Sequence, residues 1–524
     1  MNTITLLWEV VFQMVVASRL TEDPTIKVLV IEAGLLDTGT NATVIHIPLL
    51  SGQGVGTEYD WQYVTTPQVG LNGQVLPYPR GFVTGGSSAL NAMVYARGPS
   101  EDFDRLALVS GDDGWNWTSL QPYILKNERH VPDWTNRNVE GEYTPSVHGT
   151  GPLMTSLTPN QTTLDHLVFE AVHELGGKFV YNQDMNSGDG LGFGWMQSTV
   201  GNGARSDSST AFLTPALNLR SNLDLLLQTQ VIKVAGTTNA TDLRTVEIAQ
   251  HENGEMVFAG FREVILSAGS VGTPQLLLLS GIGSPDDLDQ LGIEPILNLP
   301  NVGKNMQDQP MVSIQYSVNF TSPLQNVLTN ATELDDTLAQ WETSQTGFAA
   351  GNILNTLGFF RLDPSIPPLS NHPDPSAGPQ SPHISFAFVD SFVSNPNQDV
   401  PASGNWITGS IVVQSPTINF SDTSAFAAHI IAPHPDAANL TSNEEIEEYI
   451  RFWSNTLKHP VSTARISSLN SSNGVVGPNL CVNGASGLRV VDASILPYAT
   501  GGFPQAQVYI IAERASALIY AVSC

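Results

Sequence analysis

The sequence predicts a two-domain chain, in which an α/β domain with a parallel sheet is joined to an α+β, sheet-plus-helices domain. Three observations lead there. At 524 residues and 56.2 kDa the chain is long enough for two large cores. The β-branched run IKVLVIEA at 26–33 ends in an acid followed by Gly34, as buried parallel strands do. The stretch 320–405 changes character: rich in Pro, Ser and Asn, it reads as loops and a meander rather than a linker.

The stretch up to Leu20 reads as a helix closed by Thr21, Glu22, Asp23 and Pro24. Helix then strand is half of a βαβ unit, and the strand that should open it is expected to be missing. Residues 223–234 and 264–268 read as further strands. A helix is predicted over 273–279, with Pro274 just inside its start, where a missing N–H costs least. Residues 444–458 have an amphipathic helical pattern, acidic at the start and basic at the end. The segments 488–492 and 505–521 read as strand, loop and helix. The sequence contains neither internal repeats nor low-complexity tracts.

Hydrophobic residues make up 41% and charged residues 13%, a globular balance. The net charge of -28, from 49 acidic and 21 basic side chains, repels phosphate backbones and anionic lipid. Nucleic acid is therefore not an expected partner, and a neutral or apolar small molecule is. Two cysteines without a CxxC pair exclude a cysteine-rich zinc site, and no metal is expected. Whether Cys481 and Cys524 pair is left open by their spacing. Nine N-x-S/T sequons suit the secretory pathway. Residues 3–17 are apolar but include Glu9, lack a basic flank and precede no cleavage site, so neither a signal peptide nor a membrane span is read there.

Three blocks carry chemistry. The first, 78–98 (YPRGFVTGGSSALNAMVYARG), pairs Gly85-Gly86 with Ser87-Ser88. Small side chains and free N–H groups suit a phosphate or an electron-rich ring edge, although GGSS alone is more often an ordinary turn. The second, 269–283 (GSVGTPQLLLLSGIG), is by itself a glycine-punctuated helix. The third combines His459-Pro460-Val461 with GLRVVDAS at 487–494. A lone histidine before proline is commonly structural. No HExxH, nucleophile elbow or phosphate loop offers a rival site. The glycine clusters at 52–56 and 190–194 stand in loop-like contexts.

Taken together and in this order, the blocks resemble the glucose–methanol–choline family of flavoproteins, with the nearest look to fungal aryl-alcohol oxidase-like members. TEDPTIKVLVIEAG, Asp60-Trp61, TTPQ at 65–68 and NVGKNMQDQP at 301–310 add to it. The resemblance implies a Rossmann-type FAD-binding domain from 1–125, 190–305 and 455–524, and a substrate-binding domain from 126–189 and 306–454. It places Glu32 at the adenosine ribose. Gly85, Gly86, Ser87, Ser88 and Asn91 fall beside the isoalloxazine and ribityl chain, Val231 at the adenine, and Asp492-Ala493 at the pyrophosphate and ribityl region. Some relatives attach flavin through a histidine where Asn91 stands, so asparagine implies non-covalent FAD. His459 matches the catalytic base, set to take a hydroxyl proton while hydride leaves for flavin N5.

Six positions depart from the family pattern in ways that bear on function or local structure. Phe82 and Thr84 replace a basic or small polar residue and an aliphatic one. Phe503 falls where the family has a second polar active-site residue, histidine or asparagine. Trp8, Val10 and Gln13 stand where the three glycines of GxGxxG are expected. The simplest expectation is that the family's first strand and glycine loop are lost from this N-terminus; a truncated pseudoenzyme competes with it. The functional expectation is oxidation of a primary or secondary alcohol, aromatic ones included, with oxygen or another acceptor reoxidising FAD. Non-redox lyase or cyclase chemistry, or a cofactor-free shell, are the alternatives.

Overall fold

The computed structural model describes the whole chain except residues 1–2, 8–10, 39–42, 251–253, 259, 366–368, 372, 396–397, 402, 413–429, 439 and 470. Among the described residues, five strands form a parallel sheet. Their order is Leu223–Leu226, Lys27–Ile31, Thr3–Leu7, Glu263–Leu266, Leu488–Val490. Val28, Val30, Ile265, Leu266, Leu488 and Val490 are all buried. Burial on both faces is why these strands read as continuous apolar runs rather than alternating ones. The helices Val11–Leu20 and Pro504–Ala521 pack on one another, clamped by Arg19, whose guanidinium bonds Glu513 at 2.7–3.0 Å.

The opening strand expected to be missing is present. Thr3–Leu7 lies at the centre of the sheet, with Ile4 opposite Val28 on one side and Glu263 on the other. Five residues inside a longer apolar stretch give no period of their own, and their partners come from distant sequence. Trp8 and Val10, two of the three substituted glycine positions, lie outside the described residues. Gln13 is buried on the first helix, its amide 3.4 Å from the Ile31 carbonyl.

Two other elements differ from expectation. The run 223–234 is two strands, split at Gln228, whose φ of 51° turns the chain. Its second half, Thr229–Ala235, joins a separate antiparallel sheet. The helix Gly269–Leu279 starts four residues before 273, with Pro274 inside it. Proline cannot bond the Ser270 carbonyl, which accepts the Thr463 hydroxyl at 2.8 Å instead.

The second layer is an antiparallel sheet of seven strands among the described residues. Pro310–Val318, Asn405–Val412, Ile384–Val389, Leu354–Phe360 and Gly192–Trp195 follow one another across it, flanked by Ile430–Pro433 and the short Asn455–Thr456. Phe193, Phe360, Phe386 and Ile407 form its core with the helix Thr163–Leu175. Gly192–Trp195 therefore pairs into this sheet, although it lies within 190–305, a stretch the resemblance implies for the FAD-binding domain. Its glycines hid it: Gly194 lies so close to Asn182 that a Cβ would meet the Asn182 carbonyl oxygen at 2.3 Å. The loop-rich stretch 320–405 also holds the helices Pro323–Thr329 and Ala331–Ser344.

The amphipathic stretch 444–458 is helical only over Asn443–Trp453, opened by a Ser442–Glu445 capping box. It then turns extended as Asn455–Thr456 pairs with Pro310–Val318. That short pairing delivers His459 to the junction of the two layers. Cys481 and Cys524 form a disulfide across 43 residues, tying the C-terminus to the turn before Leu488–Val490.

Candidate active site

His459 is half-buried and held at both its backbone and its ring. Its N–H donates to Asp308 Oδ1 at 2.8 Å, and the same oxygen accepts the Gln309 N–H at 2.7 Å. The other Asp308 oxygen accepts the hydroxyls of Tyr78 and Thr456. One carboxylate thus ties the first block, the strand end at Thr456 and the His459 segment together. Lys458 has φ 63°, a left-handed conformation uncommon for a side-chain-bearing residue, and its carbonyl accepts from Arg80 at 2.6 Å. The ring's Nδ1 lies 2.7 Å from Gln309 Oε1. Burial, with the nearby Arg80 and Lys458 cations, pushes the imidazole down to about 4, so it is neutral at ordinary pH.

Phe503 stands edge-on to His459, ring centroids 5.4 Å apart at 78°. It also meets Phe359 at 6.4 Å. Beside them opens a cavity of about 600 Å³ that reaches Gln309 and Phe503, the side chains flanking His459. Phe359, Ile384, Val412 and Met306 give it an apolar side; Asp102, Arg105 and Asp308 give it polar points. Asp102 is buried and pushed up to about 7 by desolvation, although it accepts the Gly501 N–H at 2.6 Å.

The residues that the resemblance assigns to the cofactor separate into two groups. Glu32 is fully buried at the end of Lys27–Ile31, with Oε1 accepting the Gly34 N–H at 2.8 Å. Gly85 and Gly86 adopt φ values of 87° and 52°, a turn that side chains resist. Gly34 approaches so closely that a Cβ would sit 2.1 Å from the Phe82 carbonyl carbon. A buried strand-end acid beside a side-chain-free turn fits the ribose and ring edge of a flavin dinucleotide. Gln13 does not fit the close helix–strand packing that a glycine gives there.

The remaining assigned residues are engaged by their own chain. Ser87 Oγ accepts the Gly81 N–H, and Ser88 Oγ donates to the Gly85 carbonyl. Asn91 bonds Gln505 and accepts from Arg205 at 3.0 Å. Asp492 accepts from Gly269, Thr273 and Ser494, holding the start of the Gly269–Leu279 helix. Ala493 opens the turn that follows, and Val231 is buried opposite Ile248. The departures from the family pattern have local partners: Phe82 packs edge-on to Trp61 at 4.5 Å, and Thr84 bonds the buried Asp37. In the sequence Asp308 and Gln309 stand out only as part of the family-like NVGKNMQDQP. Their bonds cross some 150 residues of sequence and leave no local period.

A parallel dinucleotide-type sheet, a second antiparallel sheet and a neutral histidine at their junction define a two-domain oxidoreductase framework. The model for GMC oxidoreductases matches residues 26–311 and 414–512 in its two parts, and the chain belongs to that family. FAD is the cofactor of the family. The chain is 35% identical to dehydrogenase eriK of Hericium erinaceus, over 96% of this chain and 92% of that protein. It is 34% identical to pyranose dehydrogenase 3 of Leucoagaricus meleagris, over 97% and 90%. An FAD-dependent oxidoreductase from Chaetomium thermophilum superposes with a TM-score of 0.85 at 26% identity, over 99% of both chains. A fungal aryl-alcohol oxidase shares the fold at 0.79 and 23% identity, over 99% and 98%.

Proposed function

We propose that this chain oxidises a primary or secondary alcohol, aromatic ones included, with His459 as the base and FAD held non-covalently. The observation that carries this is a neutral imidazole, fixed at backbone and ring, held against Gln309 and Phe503, two side chains that line a cavity with an apolar wall. An alcohol entering that cavity donates its hydroxyl proton to the imidazole. FAD, when bound, supplies the acceptor for the hydride, and oxygen or another acceptor takes the electrons onward. Phe503 and Phe359 shield the reacting carbon and favour an apolar or aromatic substituent. Asn91 lacks a ring nitrogen to alkylate, which supports non-covalent flavin. Gly34, Gly85, Gly86, Ser87, Ser88, Glu32, Val231, Asp492 and Ala493 make up the proposed cofactor shell.

The Cys481–Cys524 disulfide and the exposed sequon residues Asn239, Asn319 and Asn330 support passage through the secretory pathway. Among the described residues no helix is long and apolar enough to cross a membrane. Phe503 favours one second reading, non-redox lyase or cyclase chemistry on the same scaffold, because it removes half of a polar pair. Anaerobic mixing of FAD-loaded protein with benzylic, allylic and sugar alcohols separates the two. Bleaching of the flavin band by any of them supports oxidation. Product formation with the flavin left oxidised would replace it with the second reading.

A further inference from the structure

We infer that Gln309 is a positioning residue that fixes the tautomer of His459, leaving Nε2 as the one basic atom offered to an alcohol. The argument starts from the Thr500 carbonyl, which can only accept and lies 2.9 Å from one end of the Gln309 amide. That end is therefore the NH2 group. Turning the amide over would set two acceptors against each other. The other end, 2.7 Å from His459 Nδ1, is then the carbonyl oxygen, which can only accept. Nδ1 must carry the hydrogen. In a neutral imidazole the lone pair is left on Nε2.

Gln309 is itself anchored. Its N–H donates to Asp308 Oδ1, the oxygen that also holds the His459 N–H, and its carbonyl accepts from Leu457 at 2.9 Å. Base and orienting amide are referenced to a single carboxylate oxygen. Thr500 lies three residues before Phe503, so the same amide ties the base to the segment that carries its aromatic neighbour. The charged groups facing the ring are Asp308, Arg80 and Lys458; Phe503 offers no polar atom. Among the described residues no other polar side chain bonds the ring, so Gln309 selects the tautomer.

This inference rests on the reading of His459 as the base, but its test does not depend on turnover. In FAD-loaded protein labelled with 15N-histidine, long-range 1H–15N correlation at neutral pH reads each ring nitrogen. His459→Ala identifies the signals. Wild-type protein is expected to show Nδ1 protonated and Nε2 bare, and Gln309→Leu a mixture of the two tautomers. Flavin reduction in Gln309→Leu should fall in proportion to the Nδ1–H fraction read by the correlation, a few-fold at unchanged flavin content, because only that tautomer offers its lone pair at Nε2. Gln309→Glu keeps an acceptor for Nδ1 and should restore the single tautomer, although its second oxygen cannot donate to the Thr500 carbonyl and must turn away from it. Its carboxylate also favours imidazolium, so the acid limb of the reduction profile should move to higher pH. An Nε2-protonated wild-type ring, or an unaltered tautomer in Gln309→Leu, would overturn the inference. A single Nδ1–H tautomer in protein that no alcohol reduces would leave it standing and defeat the functional reading instead.

Discussion

The imidazole of His459 and the ring of Phe503 meet edge to face, 5.4 Å apart and 78° from coplanar. A phenyl ring can neither donate to nor accept from a substrate oxygen, so Phe503 leaves His459 without a polar partner on that side. Replacing it tests the consequence. Phe503→His should restore a second hydrogen bond to the alcohol oxygen and raise flavin reduction by about 10-fold or more, within the range one positioned donor supplies. Stopped-flow reduction under anaerobic conditions measures it. An unchanged rate for every alcohol that bleaches the wild type would show that Phe503 does not face the reacting oxygen.

His459→Ala should lower flavin reduction by roughly 10²-fold or more, the usual worth of a general base, with flavin content unchanged. The pH dependence follows from the ring's environment. Burial, then the Arg80 and Lys458 cations, depress its pKa to about 4 against the pull of Asp308. The base acts when neutral, so the reduction rate should be flat above about pH 5 and fall as pH drops through about 4. An acid limb near the ordinary histidine value would contradict this account of the site.

What could be read from the sequence was whatever is local. Lys27–Ile31 announced itself as a buried parallel strand, and the Gly85-Gly86 turn by its lack of side chains. Thr3–Leu7 was illegible because its identity lies in two neighbours, one more than 250 residues away. Gly192–Trp195 was hidden by glycines that permit close packing and resemble a loop. His459 stood out only within its motif, and nothing in the motif disclosed Gln309 or Thr500, whose contacts join three distant segments.

Flavin affinity should be limited by the start of the first helix. Gln13 fills a position where glycine would let the helix approach the strand, and its amide lies 3.4 Å from the Ile31 carbonyl. Protein purified without added cofactor should hold well under one FAD per chain. The triple substitution Trp8→Gly, Val10→Gly and Gln13→Gly should raise occupancy, read as flavin absorbance against protein absorbance. Stoichiometric flavin in the unaltered chain would show that these side chains are no obstacle.

The last prediction concerns a buried charge network away from His459. His148 Nε2 lies 3.0 Å from Asp184 and its Nδ1 3.2 Å from Glu128, which also pairs with the buried Arg97. His130 and Tyr143 border the ring, and Gln197 approaches it at 3.4 Å. Burial opposes a charged His148, but the bonds to Asp184 and Glu128 outweigh it and hold the ring above the usual histidine range. Glu128 and Asp184 are held below the ordinary carboxylate range: burial works against this as well, and the His148 bonds overcome it. A raised histidine stabilises the fold fully below its unfolded pKa, near 6.5, and loses that contribution as pH rises through the folded value. The lowered carboxylates stabilise above their unfolded values, near 4, and lose it as pH falls. The network is therefore strongest between about pH 5 and 6.5. His148→Leu, which leaves two buried carboxylates facing an apolar side chain, should cost on the order of 3 kcal/mol in that window. The gap in Tm between wild type and variant should narrow as pH rises toward 9. A gap that is constant from pH 5.5 to 9 would mean that His148 is neutral in the folded protein and that Arg97 alone balances the two carboxylates.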